Sequence, residues 1–468
     1  MSTPKGRPEE SWSPARLIPV SGIRSTKEQE QRATAALLSV MAVVPSFGKA
    51  ILRYLKAPAG EISTFTEVRF KDGDGATLIP DGAIVVERGK TRWVCLVEVK
   101  TGSSSLRADQ VDKYLQVAGR EDIDAVLTIS NQLVASAEDS PVDVDKRRLK
   151  KVRLRHLSWF RILTEAVTEH HHKGVDDREQ QWLLGDLIRF LDDEKSGASG
   201  FDGMGKNWVT VREAARKHTL GPSDPGVREV AEAWEQFLEY MCLRLRQRIG
   251  EAVEPAYPRA STSTKRIKDY VQVLGRDGRL QGGINVPDAV GPITIEANLA
   301  ALQVTTSVSL RAPKEGKFPK TRINWLIRQL KDVPADLRVD VEYPYVQTPA
   351  SQMIEDARKD PESLLLPDDP KRQPQRFRVA LSKDMGRKGG KGRGSFVSDT
   401  MEQVLAFYGD VVQDLREWTP TPPKLTPQDR EAVRAAEESR SLVAEPPAIR
   451  DPFYRPQQAD DPANRPTP

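Results

Sequence analysis

Between residues 91 and 100 apolar side chains follow one another with no alternation, as Trp93, Val94, Cys95, Leu96, Val97 and Val99, and the pattern breaks only at Glu98 and Lys100. A run that is apolar on both faces is the signature of a central strand covered on both sides. The run before it, residues 76–87, carries Ala83-Ile84-Val85-Val86 behind a Pro80-Asp81-Gly82 kink. Only Arg88-Gly89-Lys90 separates the two, a turn short enough for an antiparallel hairpin. Around this pair the spacing predicts a helix over 25–44, opened by the capping box Ser25-Thr26-Lys27-Glu28 and striped by Ala33, Leu37, Met41 and Val44. Pro45 suits the first turn of a second helix over 46–55. A strand over 62–70, a helix over 106–120, strands over 123–129 and 152–157, and helices from Ser158 and over 177–191 follow.

Downstream, Ser196-Gly197-Ala198-Ser199-Gly200 reads as a linker. A long helix over 226–250 comes next, then strands over 270–274, 283–286, 293–297 and 305–310, and a helix over 322–330. Strands over 337–341 and 376–381 and a helix over 400–418 complete a second, α+β region. From Pro420 onward prolines dominate and only 428–442 has helical character, which predicts a disordered tail. The domain reading is therefore a flexible segment 1–20, a first domain 21–195, an accessory domain 201–418 and a tail 419–468.

In the hairpin, Asp81 lies at the open end of one strand and Glu98 at the matching end of its neighbour, so two carboxylates can converge on one point. The two-residue period places Lys100 on the same face as Glu98. Two carboxylate oxygens and a backbone carbonyl suit Mg²⁺, or Mn²⁺ in its place, which keeps several waters and takes few protein ligands. Lys100 could then orient or deprotonate an attacking water. Glu30 extends the apolar stripe of the first helix and Glu67 shares a face with Phe65, so both are candidate further acids. Gln110 and Tyr114 stand four residues apart, on one helix face.

Pro80-Asp81, sixteen intervening residues and Glu98-Val99-Lys100, within an α-β-β-β-α-β order, resemble the PD-(D/E)XK nuclease superfamily. Gln110 and Tyr114 resemble the QxxxY element of its RecB-like branch. The resemblance covers roughly residues 20–170. It implies a restriction-endonuclease-like α/β core and hydrolysis of phosphodiester bonds in nucleic acid, with DNA the expected partner. It also implies that Asp81 and Glu98 bind metal, that Lys100 serves the water, that Gln110 and Tyr114 position substrate and that Glu30 is a metal-side acid. The alternative reading keeps the fold without the chemistry, as an inactive binding or scaffold protein.

The net charge of +4 does not announce a polyanionic partner, so any basic footprint must be local. Lys383, Arg387, Lys388, Lys391 and Arg393 supply one, in a glycine-rich stretch expected to contact nucleic-acid phosphates; an RNA partner would leave the same mark. The stretch fails as a nucleotide-binding P-loop, because Lys391 stands where the second glycine is required. His170-His171-His172 cannot converge on one ion, since consecutive helical side chains splay by about 100°. Two cysteines in apolar settings, no leader and no apolar run near the length of a membrane span predict a cytoplasmic protein without disulfides or membrane contact.

Overall fold

Ser25 caps the first helix as its spacing requires: its hydroxyl accepts the Glu28 amide at 3.2 Å, while the Glu28 carboxylate accepts the Arg24 amide at 2.6 Å. The computed structural model describes residues 16–71, 75, 77–198, 200–315, 318–419 and 426–441. The chain is mixed α/β. Its first part runs α1 (Thr26–Val43), α2 (Pro45–Leu55), β1 (Glu61–Thr66), β2 (Phe70–Lys71), β3 (Thr77–Leu78), β4 (Gly82–Arg88), β5 (Thr91–Val99), α3 (Ala108–Arg120), β6 (Ala125–Ser130), β7 (Arg153–Ser158), α4 (Trp159–Val167) and α5 (Arg178–Asp192). Strands β1, β4, β5, β6 and β7 form one sheet in that order. The first two pairings are antiparallel and the last two parallel.

Strand β5 is covered on both faces, as its pattern requires. Val94 and Leu96 join Val111, Leu115 and Ala118 of α3 in one cluster, while Cys95, Val97 and Val99 join the α1, α2 and α4 side chains in another. Two predicted strands are shorter than their apolar runs. The strand expected over 62–70 stops at Thr66 because Glu67 turns to φ +53°, and Phe70–Lys71 pairs instead with Thr77–Leu78 in a separate ribbon. The run 76–87 is accordingly two strands, split where Pro80 offers no amide to a ladder.

The second part runs α6 (Trp208–Arg216), α7 (Val227–Ile249), β8 (Glu254–Pro255), α8 (Ser263–Asp277), β9 (Arg279–Asn285), β10 (Ile293–Asn298), β11 (Gln303–Arg311), α9 (Pro319–Gln329), β12 (Leu337–Glu342), β13 (Ala350–Met353), α10 (Ile354–Lys359), β14 (Arg376–Asp384) and α11 (Phe396–Asp410). Its seven strands are antiparallel throughout, in the order β13-β12-β14-β11-β10-β9-β8. The strand expected over 270–274 lies inside α8. Thr262 caps that helix through the Lys265 amide and Gly278 closes it in the left-handed region, so the caps outweigh the β-type composition of Tyr270-Val271-Gln272-Val273. The last helix of this part starts four residues before the expected 400, since Ser395 caps it, and ends at Asp410. The segment beyond Trp418 is a separate unit with α12 (Pro427–Ser441), where helix was expected over 428–442. Residues 1–15 and most of the proline-rich tail lie outside the described residues.

Up to Trp418 the chain forms one compact unit with a shared core. Phe160 of α4 meets Tyr240 of α7 with ring centroids 4.7 Å apart. Beside them, Arg161 pairs with Glu239, Arg246 pairs with Glu165 at 3.0 Å, and Tyr54 donates to Glu165 at 2.5 Å. The stretch 196–200 is not a free spacer: Ser196 is buried, and the Gly197 carbonyl accepts the Gly102 amide at 2.8 Å and the Asn131 side chain at 2.9 Å. Gly197 stands at φ +74°, and a Cβ there would lie 2.9 Å from Gln29 Oε1. No single helix among the described residues is long and apolar enough to cross a membrane.

The Glu165 network makes a quantitative prediction. Glu165→Ala strands the Arg246 guanidinium and the Tyr54 hydroxyl, and the loss is expected at about 2–3 kcal/mol, below the range for a fully buried pair because Arg246 keeps some water contact. Glu87→Ala, which removes an exposed partner of Arg92, is expected to cost under about 0.5 kcal/mol. Urea denaturation of both variants, read at constant slope, makes the comparison.

Candidate functional site at the end of the hairpin

Strands β4 and β5 pair Gly82 with Val97, so the residue before Gly82 falls opposite the residue after Val97. Those residues are Asp81 and Glu98. The Asp81 backbone is fixed by its carbonyl, which accepts the Glu67 amide at 3.1 Å, and its Oδ2 accepts the Val99 amide at 2.7 Å. Gly82 is required there: a Cβ would stand 2.5 Å from Leu38 Cδ1 and 2.8 Å from the Phe65 carbonyl oxygen. Lys100 is anchored beyond the strand end, its amide donating to the Ile129 carbonyl at 2.8 Å and its own carbonyl accepting Trp159 Nε1 at 2.9 Å.

The side chains close on one point. Lys100 Nζ donates to Glu98 Oε1 at 2.6 Å and to the Val99 carbonyl at 3.0 Å, and lies 3.6 Å from Glu30 Oε2. Gln110 Nε2 reaches Glu98 Oε1 at 2.8 Å and the Tyr114 hydroxyl at 2.9 Å. Five side chains named from the sequence, Glu30, Glu98, Lys100, Gln110 and Tyr114, are thus in one network, with Asp81 beside Glu98. Val111, Leu115 and Ala118, on the other stripe of α3, face the sheet.

The electrostatics are those of buried acids crowded together. Burial, then the Glu98 charge, pushes the Asp81 carboxyl up to about 7. Burial opposes the Lys100 charge, but Glu98, Glu30 and Asp81 outweigh it and hold the ammonium above its usual range, so Lys100 is a cation here. Burial and Glu98 push the Tyr114 phenol upward as well, leaving it a neutral donor. With Asp81 ionised, Glu98 Oε2 is buried and has no hydrogen-bond donor, whereas a protonated Asp81 hydrogen-bonds Glu98. A buried carboxylate oxygen without a donor, next to a second carboxyl that resists ionisation, fits a hard divalent cation, which would satisfy the one and ionise the other. No group of three or more His, Cys, Asp and Glu able to hold a metal occurs among the described residues, so a cation would rest on Asp81, Glu98 and water.

Other candidates lie elsewhere. The Glu67 side chain turns to Gln31 Nε2 at 3.0 Å, so only its amide serves the cluster. His170 and His171 meet at 3.4 Å while His172 turns to the Gln247 carbonyl, in a π-helical turn over Thr168–Lys173, and the three do not converge. Lys383, Arg387, Lys388, Lys391 and Arg393 are exposed around the end of β14 and the start of α11. The neck of that loop is pinned: Phe396 donates to the Lys388 carbonyl at 2.8 Å, Met204 donates to the Gly389 carbonyl at 2.9 Å, and Arg212 donates to the Arg387 carbonyl.

One polar feature escaped the sequence. Across β5, β6 and β7, Glu98, Thr128 and His156 stand in register, all buried, and Thr128 Oγ1 meets His156 Nδ1 at 3.0 Å. Burial pushes His156 down to about 4, so this row is neutral and adds no counter-charge to Glu98. A polar residue at the same height on three adjacent strands is the only signal available, and it is visible once the register is known. The chain matches no family model, and no curated protein is significantly similar to it.

The raised Asp81 carboxyl makes stability depend on pH with a definite sign. The unfolded chain ionises Asp81 near pH 4, whereas the folded chain holds the proton until about 7, so folding is progressively disfavoured as pH rises through that window. Asp81→Asn keeps an acceptor for the Val99 amide and removes the charge. It is expected to melt above the parent protein at pH 8 and together with it at pH 4, measured by thermal unfolding in EDTA.

Proposed function

We propose that this chain is a Mg²⁺-dependent nuclease of the PD-(D/E)XK type, acting on DNA, with Asp81, Glu98 and Lys100 at its centre. The observation that carries the reading is the buried Glu98 Oε2 opposite Asp81, without a donor once Asp81 ionises, with Lys100 on the other oxygen of the same carboxylate. Helix, three sheet strands, helix and strand supply the order that such a core requires, and the QxxxY pair reaches Glu98 directly. Magnesium held by the two carboxylates would supply positive charge for the phosphate and acidify water.

The residues of the chain do the rest. Lys100 is charged, so it acts as a donor that orients the water and the phosphate oxygen; it becomes a proton acceptor only once a cation offsets the acids around it. Gln110 holds Glu98 in place and Tyr114 holds Gln110, its hydroxyl lying 3.4 Å from the Ile79 carbonyl. Glu30 shares the Lys100 ammonium and keeps it over the site. The exposed cations around α11 are a footprint for the phosphate backbone.

One observation favours a second reading, an inactive binding or scaffold protein on the same frame. Lys100 closes an ion-paired set with Glu98 and Glu30, which is self-sufficient without a metal. Single-turnover cleavage of linear duplex, circular duplex and single-stranded DNA with Mg²⁺ and with EDTA separates the two. The nuclease reading expects metal-dependent cleavage that Lys100→Ala and Glu98→Gln each lower by about 10²–10⁴-fold, with Tyr114→Phe lowering it less. Cleavage by Lys100→Ala at the parental rate reduces the pair to a strand-end salt bridge, and a parent protein without cleavage on any substrate leaves the scaffold reading.

A further inference from the structure

Away from the hairpin, the last two turns of helix α7 carry two arginines without a carboxylate partner among the described residues, one of them, Arg248, beside the helix C-terminus that favours a cation. Arg244 and Arg248 stand four residues apart, both exposed and on one helix face, where like charges repel. No ion pair to Arg248, an exposed residue of the last turn of α7, occurs among the described residues. Arg244 donates to Gln247 Oε1 at 3.3 Å and lies 5.7 Å from the rings of Phe160 and Tyr240, so its charge is held in place by aromatic faces with no acid against it.

Both side chains line a cleft of about 540 Å³, whose other wall is the first half of α11 with Ser398 and whose rim carries Lys391 and His171. Permanent cations outnumber the carboxylate in this lining three to one, Glu402 being the acid. Lys391 is shared with Asp202 at 3.6 Å, an exposed and therefore weak pairing. Helix α11 runs along this wall with Val397, Ser398, Met401, Glu402 and Leu405, and Ser398, whose hydroxyl accepts the Gly392 amide at 3.0 Å, can still donate its own proton. None of these residues belongs to the Asp81–Glu98 cluster.

We infer that this cleft is a phosphate-binding site, taking the phosphate oxygens of a nucleotide or of a nucleic-acid strand. Two guanidinium forks, an ammonium and a hydroxyl approaching from different walls match a tetrahedral anion that accepts hydrogen bonds on every side. The cleft volume is in the range of small-ligand sites, enough for a nucleotide or for a short length of single strand. Arg387, Lys388 and Arg393, exposed on the loop that supplies Lys391, continue the positive surface outward. The inference stands on the cleft alone and does not require the chain to cleave anything.

The test is binding to the full-length protein in EDTA, where no metal-dependent cleavage can occur. Fluorescence anisotropy with a labelled 12-nucleotide single-stranded DNA and competition by ATP provide two arms. Arg248→Glu is expected to weaken the affected probe by about tenfold or more, and the double change of Arg244 and Arg248 to Gln to lower the log–log salt slope for the oligonucleotide by about 0.7 per lost phosphate contact. The double change to Lys, which keeps the charge and loses the forks, should bind between the parent and the Gln variant, an order that a purely structural role for the arginines would not predict. Displacement of the oligonucleotide by ATP, with both lost in the variants, assigns a nucleotide site. Loss of the oligonucleotide alone assigns the strand backbone. Parental affinity and slope in Arg248→Glu overturn the inference, as does a parent protein that binds neither probe at millimolar concentration. A thermal melt of each variant verifies that it is folded, and parental cleavage assays with Mg²⁺ keep the fate of the nuclease reading separate.

Discussion

The register of one antiparallel hairpin decides which side chains meet at the candidate site. With Gly82 across from Val97, Asp81 falls across from Glu98; a slip of one residue would turn one of the acids to the opposite face of the sheet. The register is enforced from outside the hairpin. Gly82 is pressed against Leu38 of α1 and the Phe65 carbonyl of β1 so closely that any side chain there would force the strands apart. The same helix α1 carries Glu30 to Lys100, so the packing that fixes the strand also delivers the third acid. Geometry and charge are set by one contact surface.

That surface works against the acids it assembles. Glu98 is 1% exposed, and the row it begins, through Thr128 and His156, offers it hydroxyl and neutral imidazole neighbours but no charge. Lys100 and the Gln110 amide donate to it, both on one oxygen. Apolar burial along Val94, Leu96, Val111, Leu115 and Ala118 holds the arrangement shut regardless. The site is thus a place where favourable packing sustains an unfavourable pair of carboxyls.

Much of this was legible from residue order. Alternation and its absence located β4 and β5, the turn length made them a hairpin, and the period of two put Lys100 beside Glu98. The four-residue spacing of Gln110 and Tyr114 likewise fixed their common face. What escaped is what depends on contacts distant in sequence. The separate β2–β3 ribbon follows from the positive φ at Glu67, which nothing in its neighbours announces. The stretch 270–274 is rich in strand-forming residues, yet its fate was decided by caps at Thr262 and Gly278, outside the stretch itself. The cleft behind Arg244 is formed by helices more than 140 residues apart and has no local signature.

The buried connection at Ser196–Gly197–Ala198 bears on how such a chain can be inherited. In the sequence it looks like a seam at which one half could be exchanged for another. In the fold its carbonyl at Gly197 fastens the loop that follows Lys100 and the side chain of Asn131, with Gln29 packed against it. A recombination event at that point would have to preserve the turn as well as the reading frame, or the loop leaving β5 would lose its acceptor. Shuffling is better tolerated beyond Trp418, where a separate unit begins. The two halves are therefore coupled partners, and variation in one should be constrained by the other at the residues that meet Gly197.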